Sequence, residues 1–233
     1  MKHLVSPDRE ATPSESAKRF VVISAGTGNP SSTRQLTDRI AQKALDLLED
    51  ATVNVIELGP LAVDTARAAV AGFPGAELQE AIDKLAAADA VIVATPVYKA
   101  GISGLLKTFV DVLDNDLLVA KPVLLAATGG SPRHALVIDD QLRPLFAFMR
   151  AFTLPTSVYA APEDWGSADL GKRIERAATE LAALVRAGVE QQVTDQAWSG
   201  YQHTFGGNAS RAERTEADVD FDSPLMRLAT GGK

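Results

Sequence analysis

Short apolar runs, each followed by residues at helical spacing, constrain this chain more than any other feature of it. The runs are Phe20-Val21-Val22-Ile23-Ser24, Val53 to Leu58, Ala90 to Thr95 and Val123 to Ala127. Runs of this kind fit strands buried on both faces, as in a parallel sheet. Leu36, Ile40, Ala44 and Leu47 after the first run predict a helix. Gly72, Pro74 and Gly75 break the chain, and a second helix carries Leu78, Ile82 and Leu85. A third holds Leu105, Leu106, Phe109, Val110 and Leu113, and a fourth Leu142, Leu145, Phe146, Met149 and Phe152. A short strand is expected around Thr156 to Tyr159. A last helix runs from about Ser167 to Gly188, with Ile174, Leu181, Leu184 and Val185 inward. Five strands alternating with five helices call for an α/β fold, a parallel sheet with helices on both faces. The five-strand count favours the flavodoxin-like doubly wound order over a six-strand dinucleotide fold.

In either order, ligands bind outside the carboxyl ends of the strands. The loops after strands one, three and four are therefore the informative ones. The first is Ser24-Ala25-Gly26-Thr27-Gly28-Asn29-Pro30-Ser31-Ser32-Thr33. It opens a helix, whose first N–H groups and dipole favour an anion. Thr27, Ser31, Ser32 and Thr33 add hydroxyls. With no lysine in the loop, a triphosphate P-loop is excluded. Ser31 stands where a dinucleotide fingerprint needs its third glycine, although Glu57 ends strand two where such folds place a ribose-binding acid. A plain helix cap is the simplest alternative. A single phosphate monoester fits best.

The second loop is Thr95-Pro96-Val97-Tyr98-Lys99-Ala100-Gly101-Ile102-Ser103-Gly104, with Ser103 as the expected helix cap. Pro96 stiffens the strand exit, and Tyr98 offers an aromatic face and a hydroxyl. The third is Thr128-Gly129-Gly130-Ser131-Pro132-Arg133-His134, whose glycines let the backbone approach a flat ligand edge. Ser131 and His134 make a poor serine hydrolase: no Gly-x-Ser-x-Gly elbow is present, and Pro132 removes an oxyanion-hole N–H. One loop for phosphate and two for a planar ring describe an FMN site.

The 233-residue chain has no cysteine, which excludes disulfides, thiolate metal sites and thiol nucleophiles. Its three histidines are scattered, so no metal site is expected. A net charge of −7 argues against nucleic-acid binding. No apolar run approaches the roughly 20 residues of a membrane span, so no membrane partner is expected. Residues 1–19 are polar and read as a flexible lead-in without a signal core, which suits a cytoplasmic protein. Residues 20–188 hold the periodic pattern. Residues 189–233 read as a C-terminal arm; from 190 it carries seven acidic and four basic residues, ending in the apolar patch Leu225, Met226 and Leu228. That arm is either a solvated tail or one that docks on a neighbouring subunit.

Pro96-Val97-Tyr98-Lys99, followed by Ser103-Gly104-Leu105-Leu106-Lys107-Thr108-Phe109-Val110-Asp111, resembles the signature of NAD(P)H-dependent FMN reductases. So does Thr128-Gly129-Gly130-Ser131 with His134, then Asp139 and Leu142-Arg143-Pro144-Leu145. The resemblance covers about residues 20–188. It is closest to the reductases paired with alkanesulfonate-type and other luciferase-like two-component monooxygenases. It implies FMN as cofactor, NAD(P)H as co-substrate, and a hydride passed from nicotinamide to flavin N5 with no catalytic side chain. It implies that Ser31, Ser32 and Thr33 hold the phosphate, that Pro96, Val97, Tyr98 and Lys99 line the ring near N5, and that Gly129, Gly130 and Ser131 face the pyrimidine end. It further implies reduced FMN delivered to a partner monooxygenase and a homodimer or homotetramer. Two positions depart from the pattern: Asn29 stands where many relatives carry an arginine, and Ile102 where some sulfonate-system members carry a tyrosine. A quinone or azo reductase on the same fold is the enzymatic alternative. A flavodoxin-like electron carrier is disfavoured by the arm and the modest charge.

Overall fold

The structure, a computed structural model, describes residues 17–198 apart from Glu49. Its sheet runs β2 (Ala51–Glu57), β1 (Lys18–Ser24), β3 (Ala90–Tyr98), β5 (Pro122–Thr128) and then an edge position shared by β6 (Phe152–Thr153) and β7 (Val158–Ala160). All of these pair in parallel. The expected five-position doubly wound order is thus the order found. The strand count reaches seven for two reasons. A two-residue strand, β4 (Gly101–Ile102), folds back antiparallel on β3. The edge strand is also broken: Val123 pairs with Thr153 and Ala126 with Val158, so three steps along β5 match five along the edge. Pro155 lies in that break, where a missing N–H does no harm.

Alternation along each central strand divides the core in two. Val21, Ile23, Val91, Val93, Val123 and Leu125 face one side. They pack against α2 (Leu58–Ala71), α3 (Ala76–Ala86), α4 (Gly104–Asp111) and α5 (Arg143–Phe148). Phe20, Val22, Ile92 and Leu124 face the other side, covered by α1 (Ser32–Leu45) and α6 (Ala168–Arg186). A final helix, α7 (Val189–Ala197), follows Gly188, which has φ +61°.

Three elements differ from the sequence reading. Helix α2 was not expected. Its first turn contains Gly59 and Pro60, and it buries only Leu58, Thr65 and Ala68, so its apolar period is faint. Proline is tolerated there because first-turn N–H groups have no intrahelical acceptor anyway. The helix expected to reach Phe152 ends at Phe148 instead. Arg150 adopts φ +56° and the Ala151 N–H returns to the Phe146 carbonyl at 3.1 Å, a six-to-one closure that turns Phe152 into β6. Ahead of α5, residues Ile138–Leu142 form one π turn, with the Arg143 N–H reaching Ile138 O. Strand β1 begins at Lys18, two residues earlier than expected. Of the expected arm, Val189–Ala197 form α7, while Leu225, Met226 and Leu228 lie outside the described residues, as do residues 1–16. Among the described residues no helix is long and apolar enough to cross a membrane.

Candidate functional site

The β1–α1 loop starts from Ser24, on the same sheet face as Phe20 and Val22. Its buried hydroxyl has no partner among the described residues. The Ala25 N–H still bonds Ala94 O at 3.0 Å, so the chain leaves the sheet at Gly26. A Cβ on Gly26 would stand 2.2 Å from Ser31 Oγ and 2.8 Å from Thr33 Cβ; only glycine lets the loop fold over its own hydroxyls. Ser31 is the N-cap of α1, and its Oγ accepts from the Arg34 N–H at 3.2 Å. The hydroxyl proton of Ser31 remains available to a ligand. The first intrahelical bond is Gln35 N–H to Ser31 O, so the Ser32 and Thr33 amides precede it and are free to donate into the loop. Thr27, Gly28, Asn29 and Pro30 are exposed, and the Asn29–Pro30 peptide is cis. Arg34 does not supply a free cation. Its Nε donates to Asp38 at 2.7 Å and its Nη1 to Glu57 at 2.7 Å, and Asp38 above all raises its pKa. Glu57, weighed as a ribose-binding acid, is engaged in that pair.

The loop after β3 is a hairpin. Val97 pairs with Ile102 and Tyr98 with Gly101, leaving Lys99 and Ala100 as a two-residue turn with φ +51° and +61°. Both signs positive make it a type I′ turn, normally the province of Asn-Gly. Pro96 is buried, Val97 half-buried, and Tyr98 51% exposed at the tip with Lys99. Beneath the hairpin, the buried Thr95 hydroxyl accepts from the Ser103 N–H at 2.9 Å and donates to Pro96 O at 3.0 Å. Ser103 occupies the expected N-cap of α4, but its side chain makes no capping bond.

The turn after β5 is held from below. The Gly129 N–H donates to Ala160 O at 3.2 Å, and the Tyr159 hydroxyl donates to Ser131 O at 2.6 Å. A Cβ on Gly129 would stand 2.2 Å from that hydroxyl. Burial, and secondarily Asp164 and Glu163, pushes the Tyr159 phenol above its usual pKa, which keeps it a donor. Ser131 Oγ accepts from Arg133 N–H and Nε, at 3.4 and 3.2 Å. His134 is half-buried one turn further on, in Pro132–His134.

One bond joins the first loop to the third: Thr33 Oγ1 and Thr128 Oγ1 lie 2.7 Å apart, both buried. Thr33 and Thr128 therefore knit the frame, while Thr27, Ser32, Tyr98, Lys99 and Gly130 present exposed surface around it. Sequence reasoning gave Tyr159 and Gln141 no role at the site; Gly26 carried a signal, a glycine wedged between a strand end and a hydroxyl-rich helix start. The β1–α1 loop fits a phosphate monoester: a glycine cradle, free amides at a helix start, hydroxyls and no carboxylate between Ser24 and Thr33.

The family model described as NADPH-dependent FMN reductase matches residues 19–166. A Pseudomonas aeruginosa protein named FMN reductase (NADPH) is 44% identical over 172 residues, 71% of this chain and 91% of that one. A Pseudomonas putida protein named NADH-dependent FMN reductase SfnE is 42% identical over 177 residues, 74% of this chain and 89% of its own. The crystal structure of an oxidoreductase from Corynebacterium diphtheriae superposes with a TM-score of 0.71 at 44% identity, covering 73% of this chain and 98% of that one.

Proposed function

The chain belongs to the NADPH-dependent FMN reductase family, and from that premise we propose that its three carboxyl-edge loops divide one flavin between them. Its activity is the reduction of FMN by NAD(P)H. In this reading residues 20–188 are the FMN-binding domain. Thr27, Ser31, Ser32 and Thr33 take the phosphate through hydroxyls and amides, in place of a loop cation. Pro96, Val97, Tyr98 and Lys99 border the ring on the N5 side. Thr128, Gly129, Gly130 and Ser131 border the pyrimidine end, where backbone N–H groups favour negative charge. FMN, when bound, supplies the redox chemistry by accepting a hydride from NAD(P)H. The chain's residues would bind and orient it; no side chain need transfer a proton.

The observation that carries this reading is the Thr33–Thr128 bond, which makes the phosphate loop and the two-glycine turn parts of one frame. We further infer a cytoplasmic homodimer or homotetramer that passes reduced FMN to a flavin-dependent monooxygenase. The motif resemblance to reductases of two-component systems supports it. Steady-state oxidation of NADH and of NADPH, with and without FMN, FAD or a quinone, tests the activity. Oxidation that depends on added FMN is expected; equal rates with quinone and no flavin would overturn it.

A further inference from the structure

The turn Lys99-Ala100 holds both residues at positive φ without a glycine or an asparagine to favour it. Something outside the hairpin must hold it, and the structure contains such a group. The Gln141 side chain reaches across from the π turn Ile138–Leu142. Its Oε1 accepts the Ile102 N–H at 3.1 Å, and its Nε2 donates to Ala100 O at 3.4 Å. One amide thus clasps the second turn residue and the β4 residue beyond Gly101, pinning the outgoing limb of the turn. Gly101 lies directly under it: a Cβ there would come within 3.1 Å of Gln141 Oε1. The π turn helps to aim the group. Ile138 and Leu142 are buried in the core, and Gln141, just before Leu142, is turned onto the hairpin. Single π turns recur at functional sites because they re-aim one side chain without ending the helix.

We propose that Gln141 is a positioning residue for flavin reduction, setting the hairpin that carries Val97, Tyr98 and Lys99. The proposal rests on the flavin reading given above. Gln141 touches no reacting atom. It fixes the turn on the ring side of the site, and it couples that turn to the segment following β5. Gln141 is exposed, so its replacement leaves the core intact.

The test compares wild type with Gln141→Met, Gln141→Glu and Gln141→Met/Ala100→Gly. FMN affinity is read by fluorescence quenching and flavin reduction by stopped flow. Gln141→Met is expected to weaken FMN by about tenfold and to slow reduction, the scale of one or two lost hydrogen bonds. Gln141→Glu retains an acceptor for the Ile102 N–H and falls between. Ala100→Gly accommodates φ +61° without strain and should restore the Met variant. Unchanged affinity and rate in Gln141→Met overturn the proposal, as does a loss that Ala100→Gly leaves uncorrected. A wild-type chain that binds no FMN overturns the flavin reading instead. Amide exchange at Ile102, measured without flavin, then decides the brace on its own: faster exchange in Gln141→Met supports it, and an unchanged rate rejects it.

Discussion

The two ends of the same sheet are built on opposite rules. At the amino ends the chain answers its own polar groups. The Lys18 N–H bonds Asp50 O at 2.7 Å, and Arg19 and Asp89 exchange bonds of 2.7 Å each. Lys121, 1% exposed, sends its ammonium to Ala86 O, Ala88 O and, at 3.1 Å, Glu190 of α7. At the carboxyl ends the chain leaves groups open. Among the described residues the Ser24 hydroxyl is unpartnered, the Ser32 and Thr33 amides have no acceptor, and a turn is held at positive φ by a side chain from another element. One end satisfies its own polar groups; the other leaves a hydroxyl and helix-start amides without partners among the described residues.

Substitutions should separate the two. Lys121→Ala removes a buried cation together with its bonds to Ala86 O, Ala88 O and Glu190; it should cost roughly 3–5 kcal/mol. Urea unfolding reads this, and the folded fraction should bind FMN with wild-type affinity. Gly26→Ala reverses the pattern. Its Cβ forces Ser31 and Thr33 aside, so FMN should bind about tenfold more weakly or worse, while stability falls by roughly 1–3 kcal/mol. A Gly26→Ala chain that loses stability but keeps its FMN affinity would break the comparison. Ser31→Ala lies between. Loss of the cap should cost about 1 kcal/mol of stability. FMN should weaken while riboflavin, which lacks the phosphate, binds as before; equal weakening of both would place the phosphate elsewhere.

The smallest effect is expected from Tyr159→Phe, read against pH. Burial raises the phenol in the folded state, so the fold holds this proton more tightly than the unfolded chain does. The associated stability is complete below the unfolded value of about 10 and is lost as pH rises through the higher folded one. Urea midpoints between about pH 8 and 11 should therefore fall less steeply in Tyr159→Phe than in wild type. An identical alkaline decline in both would remove Tyr159 as its source.

The interior strands were legible because β1, β3 and β5 are buried on both faces and need unbroken apolar runs. The loops were legible because hydroxyls and glycines cluster where a strand hands over to a helix. Other features left weaker marks. Helix α2 is alanine-rich and buries only Leu58, Thr65 and Ala68, so its period does not stand out. The β3–β4 hairpin lacks the Asn-Gly signal because Gln141, some 40 positions away, holds its turn. No local pattern announces a contact of that range. The end of α5 turned on Arg150 in a left-handed conformation, which arginine does not advertise.

The broken fifth strand has a consequence for how this chain meets others. Residues at a sheet edge can template pairing with a second chain, and long flat edges do so most readily. Here β6 offers two residues and β7 three, out of step with one another across a proline-containing break. That flank makes a poor template. The opposite flank is β2, seven residues in continuous register with β1, its outward row unclaimed among the described residues. Asn54 and Glu57 lie along it, with Val55 37% exposed. Of the two flanks, β2 is the side on which a foreign strand would find a matching partner, and the side where a lysine substitution would do most to keep molecules apart.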